Sequence, residues 1–315
     1  MFRLRPGLTT PLIITLVACV AATAAAYSAR WHWFLELFSH FRVQYFVVLV
    51  AVALLYATQR KFVGVGIAVV CAALNVIPVA NLFATNLDTQ VPAGVDPWVL
   101  VSANLSSGNQ HVDAVVGYLA AEQAAVVALQ EYTFRWAADL APLHGQYPHR
   151  FELPRGDDFG LALYSRWPLL ATKAIDLGNS TAAIVVDVDT PSGPVRVITV
   201  HLRAPMTADS AAQRARQFAA LEKLTASADL PLAVVGDFNA TPWSPDFREW
   251  TDTNGLQNGI DGHGVAYTWP TVAPPLWIPI DACVVNNRLA VVAQRRGDRI
   301  GSDHYPLVTT LVTNL

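Results

Sequence analysis

The stretch Leu232-Ala233-Val234-Val235-Gly236-Asp237-Phe238-Asn239 decides the fold class of this chain. Four consecutive apolar residues closed by a glycine read as a short strand buried on both faces, because a half-exposed strand would alternate with polar residues. A carboxylate and an amide stand just beyond it, at the lip of a sheet, where enzymes assemble their chemistry. Asp and Asn after a strand also serve as plain turn residues, since both bond the local backbone and tolerate unusual dihedrals. Repetition elsewhere lifts the stretch above that reading. Ser302-Asp303-His304 stands just ahead of the apolar run Leu307 to Val312, so acid and imidazole again flank a buried strand.

Working outward, strands are expected at Trp98–Asn104, Ala125–Gln130, Gly160–Ser165, Ala182–Asp189, Val195–Leu202, Leu232–Gly236, Ile280–Val285, Leu289–Ala293 and Leu307–Val312, with helices at His111–Glu122 and Asp209–Ser227. Many strands and few helices argue for packed sheets flanked by helices, a layered α/β or α+β domain. Polar residues recur where these strands end: Asn104, Glu131, His201, Asp237 and Asn239, then Asp303 and His304. Each has an ordinary account alone, such as a turn amide, a helix N-terminal acid or a buried histidine. Asp281 has none. A carboxylate inside the apolar run IPIDACVV is unfavourable unless paired, and a histidine is its natural partner.

At these residues the chain resembles the endonuclease/exonuclease/phosphatase superfamily, the fold of deoxyribonuclease I-like nucleases, neutral sphingomyelinases, inositol polyphosphate 5-phosphatases and apurinic endonucleases. The motifs SANL, LQE, FGLALYSRWPL, VHL, GDFNATP, TW, IDACVV and GSDHYPL occur in family order between Trp98 and Val312. The resemblance implies a two-sheet β-sandwich flanked by helices and a Mg²⁺- or Mn²⁺-dependent attack of water on a phosphate ester. It implies metal ligation by Glu131, helped by Asn104 and Asp303, an oxygen-rich shell of the kind Mg²⁺ prefers. Asp237 is similar to the residue that positions or deprotonates the attacking water, and Asn239 to one that binds the phosphate or that water. His304, oriented by Asp281, and His201 are implied at the scissile phosphate. Ser106 stands where many relatives carry an acid, a departure that removes one expected ligand of a second metal.

The substrate is less closely specified. Inositol phosphatases of this family usually carry a bulky aromatic and an arginine after the central Asn, and Ala240-Thr241-Pro242 follow it here. Trp269 to Pro279 (WPTVAPPLWIP) offers Leu276 and Trp277 as an apolar rim, with packing under the domain as the other reading; Trp269, after Thr268, is assigned to the site wall or core. A lipid or other small phosphodiester is the leading substrate class, an extracytoplasmic nuclease activity the second. A membrane-tethered binding module without catalysis is the third reading.

The first third of the chain is of another kind. Residues 8–27 and 62–83 contain no Asp, Glu, Lys or Arg, and 41–57 contain only Arg42. Each run is near the roughly 20 residues that cross a bilayer, so residues 1–85 are expected to be a membrane anchor of three spans, 86–97 a polar linker, and 98–315 the catalytic domain. Arg3 and Arg5 before the first span, with Arg60 and Lys61 between the second and third, place those ends in the cytoplasm. Everything after the third span is then extracytoplasmic. A cleavable signal peptide ending near Ala24-Ala25-Ala26 leads to the same side.

The 315 residues carry 21 Lys plus Arg against 24 Asp plus Glu. Glu36 is the one acid before Asp88, whereas six of the basic residues lie there, leaving 15 against 23 for the rest. Such an acidic domain is unlike a non-specific binder of long nucleic acids, which is normally basic. Of the three cysteines, Cys19 and Cys71 fall in the spans and Cys283 is alone in the globular part, so neither an intradomain disulfide nor a zinc–thiolate site is available there.

Overall fold

The computed structural model describes residues 9–83, 94–226 and 228–314. Most of the expected linker, residues 86–93, lies outside them, as do Leu8 and Ser227. The chain forms two compact units, one holding residues up to Phe83 with the short piece Trp243–Pro245, the other the rest.

The N-terminal unit contains α1 (Thr9–Tyr27), the short α2 (Trp33–Glu36), α3 (Arg42–Thr58) and α4 (Phe62–Val76). A 3-10 segment joins α2 to α3, so the second apolar helix runs from Trp33 to Thr58 and is longer than 41–57; the third continues past α4 as a 3-10 helix to Phe83. Among the described residues, three helices are long and apolar enough to cross a membrane. Their surface is inverted relative to a water-soluble bundle, with Ile14, Val17, Leu54, Val63 and Val70 exposed. Polar contacts lie inside: Asn75 Nδ2 donates to Thr23 Oγ1 at 2.8 Å. Small residues and such interhelical hydrogen bonds are how helices associate where no hydrophobic drive separates helix from solvent.

The second unit is built from β1 (Trp98–Asn104), α5 (Val112–Glu122), β2 (Val126–Gln130), α6 (Phe134–Asp139), β3 (His149–Leu153), β4 (Leu161–Ser165), β5 (Leu169–Gly178), β6 (Thr181–Thr190), β7 (Gly193–His201), α7 (Ala208–Thr225), β8 (Leu232–Asp237), α8 (Pro245–Thr253), β9 (Gln257–Asn258), β10 (Asp281–Val285), β11 (Leu289–Arg296) and β12 (Leu307–Thr313). Two mixed six-stranded sheets form, in the orders β11-β12-β1-β2-β4-β3 and β5-β6-β7-β8-β10-β9. The expected strands are present. The strands β3, β5 and β9, and the helices α6 and α8, were not expected from the sequence.

Alternation along each central strand divides its side chains between two cores. Leu100, Val126, Ala128, Val186, Val197, Ala233, Val235 and Cys283 meet between the sheets. Val101, Val127 and Leu129 turn outward under Val115, Leu119 and Trp136. On the other sheet Val200, Leu232 and Val234 turn outward under Phe218, Leu221, Phe247 and Trp250. Both faces of the central strands are therefore covered, which is why those strands read as unbroken apolar runs. One polar connection crosses the inter-sheet core: Gln130 accepts from Ser102 Oγ at 3.2 Å and donates to Thr199 Oγ1 at 3.1 Å. A buried, satisfied bridge of this kind holds the two sheets in one relative position directly below the strand ends.

Candidate active site

Strand direction and register bring the polar residues together. β1 and β2 are parallel, with Asn104 opposite Gln130, so Asn104 and Glu131 emerge side by side. In the other sheet β7 and β8 are parallel with His201 opposite Asp237, and β10 runs antiparallel with Asp281 opposite Asp237. His201, Asp237 and Asp281 thus form one row across three strands. His304 comes from the loop before β12, which enters the first sheet antiparallel to β1.

The contacts join both sheets at one point. His304 Nδ1 lies 2.8 Å from Asp281 Oδ2, the pairing expected for an acid inside an apolar strand. Asp237 Oδ2 accepts from Asn104 Nδ2 at 3.1 Å, and lies 3.5 Å from His201 Nε2 and 3.7 Å from His304 Nε2. Asp237 Oδ1 accepts the Asn239 N–H at 2.8 Å. Asn104, His201, Asp237, Asp281 and His304 are all buried. His201 Nδ1 faces the Asp158 carbonyl at 2.9 Å; a carbonyl only accepts, so Nδ1 carries the proton and Nε2 is left facing Asp237.

The electrostatics follow from burial and from these pairings. Burial pushes the Asp237 carboxyl up, with Asp281 adding to it and His304 and His201 opposing it, to about 6. Burial alone would lower His304, but the Asp281 and Asp237 carboxylates outweigh it and hold the imidazole at about 10. Two groups with opposite tasks thus sit within 3.7 Å, a carboxylate able to take a proton near neutrality and a cation able to give one.

Glu131, Asn239 and Ser106 all have left-handed backbone, at φ 54°, 48° and 55°. Non-glycine residues pay for that conformation, and such positions concentrate at functional sites. Glu131 is half-buried, and its Oε2 accepts the Ser107 N–H at 2.7 Å. Ser106 N donates to Asn104 Oδ1 at 3.0 Å. Asn239 Nδ2 donates to the Leu202 carbonyl at 2.9 Å, leaving one N–H and Oδ1 on that amide. Asp303 is exposed, and its Oδ2 accepts from Trp269 Nε1 at 3.2 Å.

Residues given no role from the sequence complete the surroundings. Ser302 Oγ donates to the Asn104 carbonyl at 2.8 Å and accepts from His304 N at 3.0 Å. Asp158 Oδ1 accepts from Ser107 Oγ at 2.6 Å, so one residue supports both the Glu131 loop and His201. Phe159 stacks on His201 at 5.1 Å. Asp157-Asp158-Phe159 precede β4 much as Ser302-Asp303-His304 precede β12; that parallel was the available signal. Of the apolar rim expected in Trp269 to Pro279, Leu276 is exposed, together with Val272. Trp277 is instead half-buried between Tyr267 and Tyr305, since its large ring finds aromatic partners in its own domain.

The family model described as the Endonuclease/Exonuclease/phosphatase family matches residues 101–304. This chain belongs to the endonuclease/exonuclease/phosphatase family. The second unit is similar to the endonuclease/exonuclease/phosphatase of Beutenbergia cavernae DSM 12333, at 20% identity over 69% of this chain and 72% of that one, with a TM-score of 0.59. It is also similar to a family protein of Bacteroides thetaiotaomicron (15% identity, 70% and 99% covered, TM-score 0.57) and to TDP2 from C. elegans (16% identity, 69% and 75% covered, TM-score 0.56). At such identities the likeness is one of fold. No curated protein sequence matches the chain significantly.

Proposed function

We propose that the chain is a membrane-anchored, divalent-metal-dependent hydrolase of a phosphodiester, with a lipid or other small diester as substrate. The observation that carries the reading is the buried group of Asp237, His304, Asp281, His201 and Asn104, assembled from both sheets of a phosphoesterase fold. Asp237 takes the proton of the attacking water. His304, held by Asp281 through Nδ1, presents its Nε2 proton to the charge that develops on the phosphoryl or leaving oxygen, and His201 Nε2 lies 3.5 Å from the same Asp237 oxygen. Asn239 keeps the Asp237 carboxylate in place through its backbone N–H and has one amide N–H left for the phosphate.

The donor set suits a hard divalent cation. Asp237, Asp281 and His304 have ligand atoms within 4.8 Å of one another, but the His304–Asp281 hydrogen bond requires a proton that a cation would displace, and Asp237 already accepts from two N–H groups. The half-buried Glu131 carboxylate, the Asn104 amide oxygen and the exposed Asp303 carboxylate are the oxygen donors that would hold Mg²⁺ or Mn²⁺. Bound there, the ion supplies charge stabilisation at the phosphoryl and leaving oxygens.

Support for a lipid substrate comes from exposed apolar residues on chain segments close in sequence to the site residues. Phe134 lies three residues after Glu131, Met206 five after His201, and Val272 and Leu276 precede Asp281. The acidic balance of the same unit disfavours long nucleic acids. The full-length chain in bilayers, assayed with Mg²⁺ against phospholipids, plasmid DNA and phosphomonoesters, is expected to prefer the phospholipid and to lose nearly all turnover on chelation or in Glu131→Ala. Preference for plasmid DNA favours the nuclease reading, and turnover absent under every condition favours a binding module.

The three apolar helices, with Arg60 and Lys61 between the second and third, support an extracytoplasmic catalytic unit. Protease added to intact cells is expected to remove a C-terminal tag; a tag cleaved only after lysis places the unit inside.

A further inference from the structure

The phosphoester reading gives no task to a half-buried cation of β11. Arg296, the last residue of β11, lies in the corner made by Trp277 and Tyr305. Its guanidinium carbon is 4.6 Å from the Trp277 ring centre and 4.2 Å from that of Tyr305. The two rings meet at 87°, and Tyr267 stacks on Trp277 with centres 6.1 Å apart. The cation is thus held against two aromatic rings, which attract its charge but offer its N–H groups no strong acceptor. Among the described residues no carboxylate or carbonyl accepts from Arg296. Its neighbour Arg295 pairs with Glu122, and Arg196 with Asp187 at 2.7 Å.

Each wall of this corner is rooted in a segment that carries a site residue. Tyr305 directly follows His304. Trp277 lies four residues before Asp281, beside Ile278, whose backbone pairs with that of Trp269. Tyr267 directly precedes Thr268, whose Oγ1 accepts the Asp281 N–H at 3.3 Å. A fork of N–H donors with no internal acceptor, set between rings on the chain segments that carry His304 and Asp281 and in an otherwise acidic unit, is suited to a planar or tetrahedral oxyanion.

We propose that Arg296, held by Trp277 and Tyr305, binds a second phosphate group of the substrate, so that the enzyme selects phosphodiesters carrying a further phosphomonoester. The inference deepens the phosphoester reading and rests on it. The same chemistry occurs on a phosphorylated lipid headgroup and on a nucleotide, and paired substrates distinguish them: phosphatidylinositol phosphate against phosphatidylinositol in vesicles, and a 5′-phosphorylated against an unphosphorylated dinucleotide.

The full-length chain in bilayers is expected to favour the phosphorylated member of one pair by about tenfold in kcat/KM, as a charge-assisted hydrogen bond implies. R296Q is expected to erase that ratio and R296K to keep part of it. Binding is read separately by calorimetric titration with pyrophosphate in the presence of chelator, where wild type is expected to bind about tenfold more tightly than R296Q. Equal pyrophosphate affinity in wild type and in both variants overturns the proposal whatever the hydrolysis shows. Unchanged substrate ratios in R296Q, with both members of each pair losing rate alike alongside a lower Tm, likewise overturn it in favour of a purely structural clamp. Pyrophosphate binding retained by a wild type without turnover counts against the phosphoesterase reading alone.

Discussion

Asp237→Asn is expected to lower kcat by about 10²–10⁴-fold, the usual range for removing a positioned proton-transfer group, with little change in Tm. The substitution keeps the shape of the side chain, and His304 retains Asp281 at 2.8 Å, so the buried imidazolium is not left unpaired; one of the two N–H groups that Asp237 accepts, from Asn104 and Asn239, loses its acceptor, a small cost beside the loss of rate. Steady-state assay of a diester beside thermal unfolding checks both halves, and turnover within about threefold of wild type would remove Asp237 from the role of proton acceptor. The pH profile carries the same logic. In the proposed mechanism Asp237 works deprotonated, and burial raises its carboxyl to about 6, so the rate is expected to rise as pH passes that value. His304 would work protonated in that mechanism, and the Asp281 and Asp237 carboxylates hold its imidazole at about 10, so the rate is expected to fall only as pH approaches that value. Asp281→Asn removes the carboxylate that opposes the effect of burial, so the imidazole loses its proton more readily and the falling limb moves to lower pH. A falling limb unmoved in that variant contradicts the pairing as the source of the cation.

Gly236→Ala is expected to destabilise the catalytic unit by at least about 3 kcal/mol, near the upper part of the range for single substitutions. Gly236 has φ 145°, and a Cβ built there would lie 2.0 Å from the Val200 carbonyl oxygen and 3.0 Å from the Val200 carbonyl carbon and nitrogen. The obstruction is backbone of the neighbouring parallel strand, opposite which Gly236 is registered, and it cannot rotate aside as a side chain would. Gly193→Ala provides the contrast: its φ is 105°, yet nothing lies within 4 Å of its Cβ position. That variant bears only conformational strain, of order 1–3 kcal/mol. Denaturant unfolding of the two variants should separate them clearly, and equal losses would show that crowding at Val200 contributes nothing. Since Asp237 follows Gly236 directly, folded Gly236→Ala should also lose turnover.

The parts legible in the sequence share a physical feature. β1, β2, β8, β10 and β12 are covered on both faces, so they appear as apolar runs, and the acids, amides and imidazoles at their ends break those runs abruptly. The edge strand β3 was not legible because its five residues are all half-buried, and much of β5 is exposed, so neither shows a continuous core pattern. Asp281 was the most informative single residue, since a carboxylate in an apolar strand demands a partner, and His304 is that partner. Ser302 and Asp158 gave no comparable signal. A serine or aspartate in a loop is unremarkable until folding shows which carbonyl, amide or imidazole it meets.

Local chemistry along the chain was therefore enough for the membrane-length helices, the central strands and most of the reactive groups, because each depends on neighbours within a few residues. The pairing of His304 with Asp281, the approach of Asn104 to Asp237 across 133 residues, the inward turn of Trp277 and the corner that holds Arg296 required the folded chain. Those contacts arise from strand register and from the packing of one sheet on the other, which bring together residues that no spacing in the sequence relates.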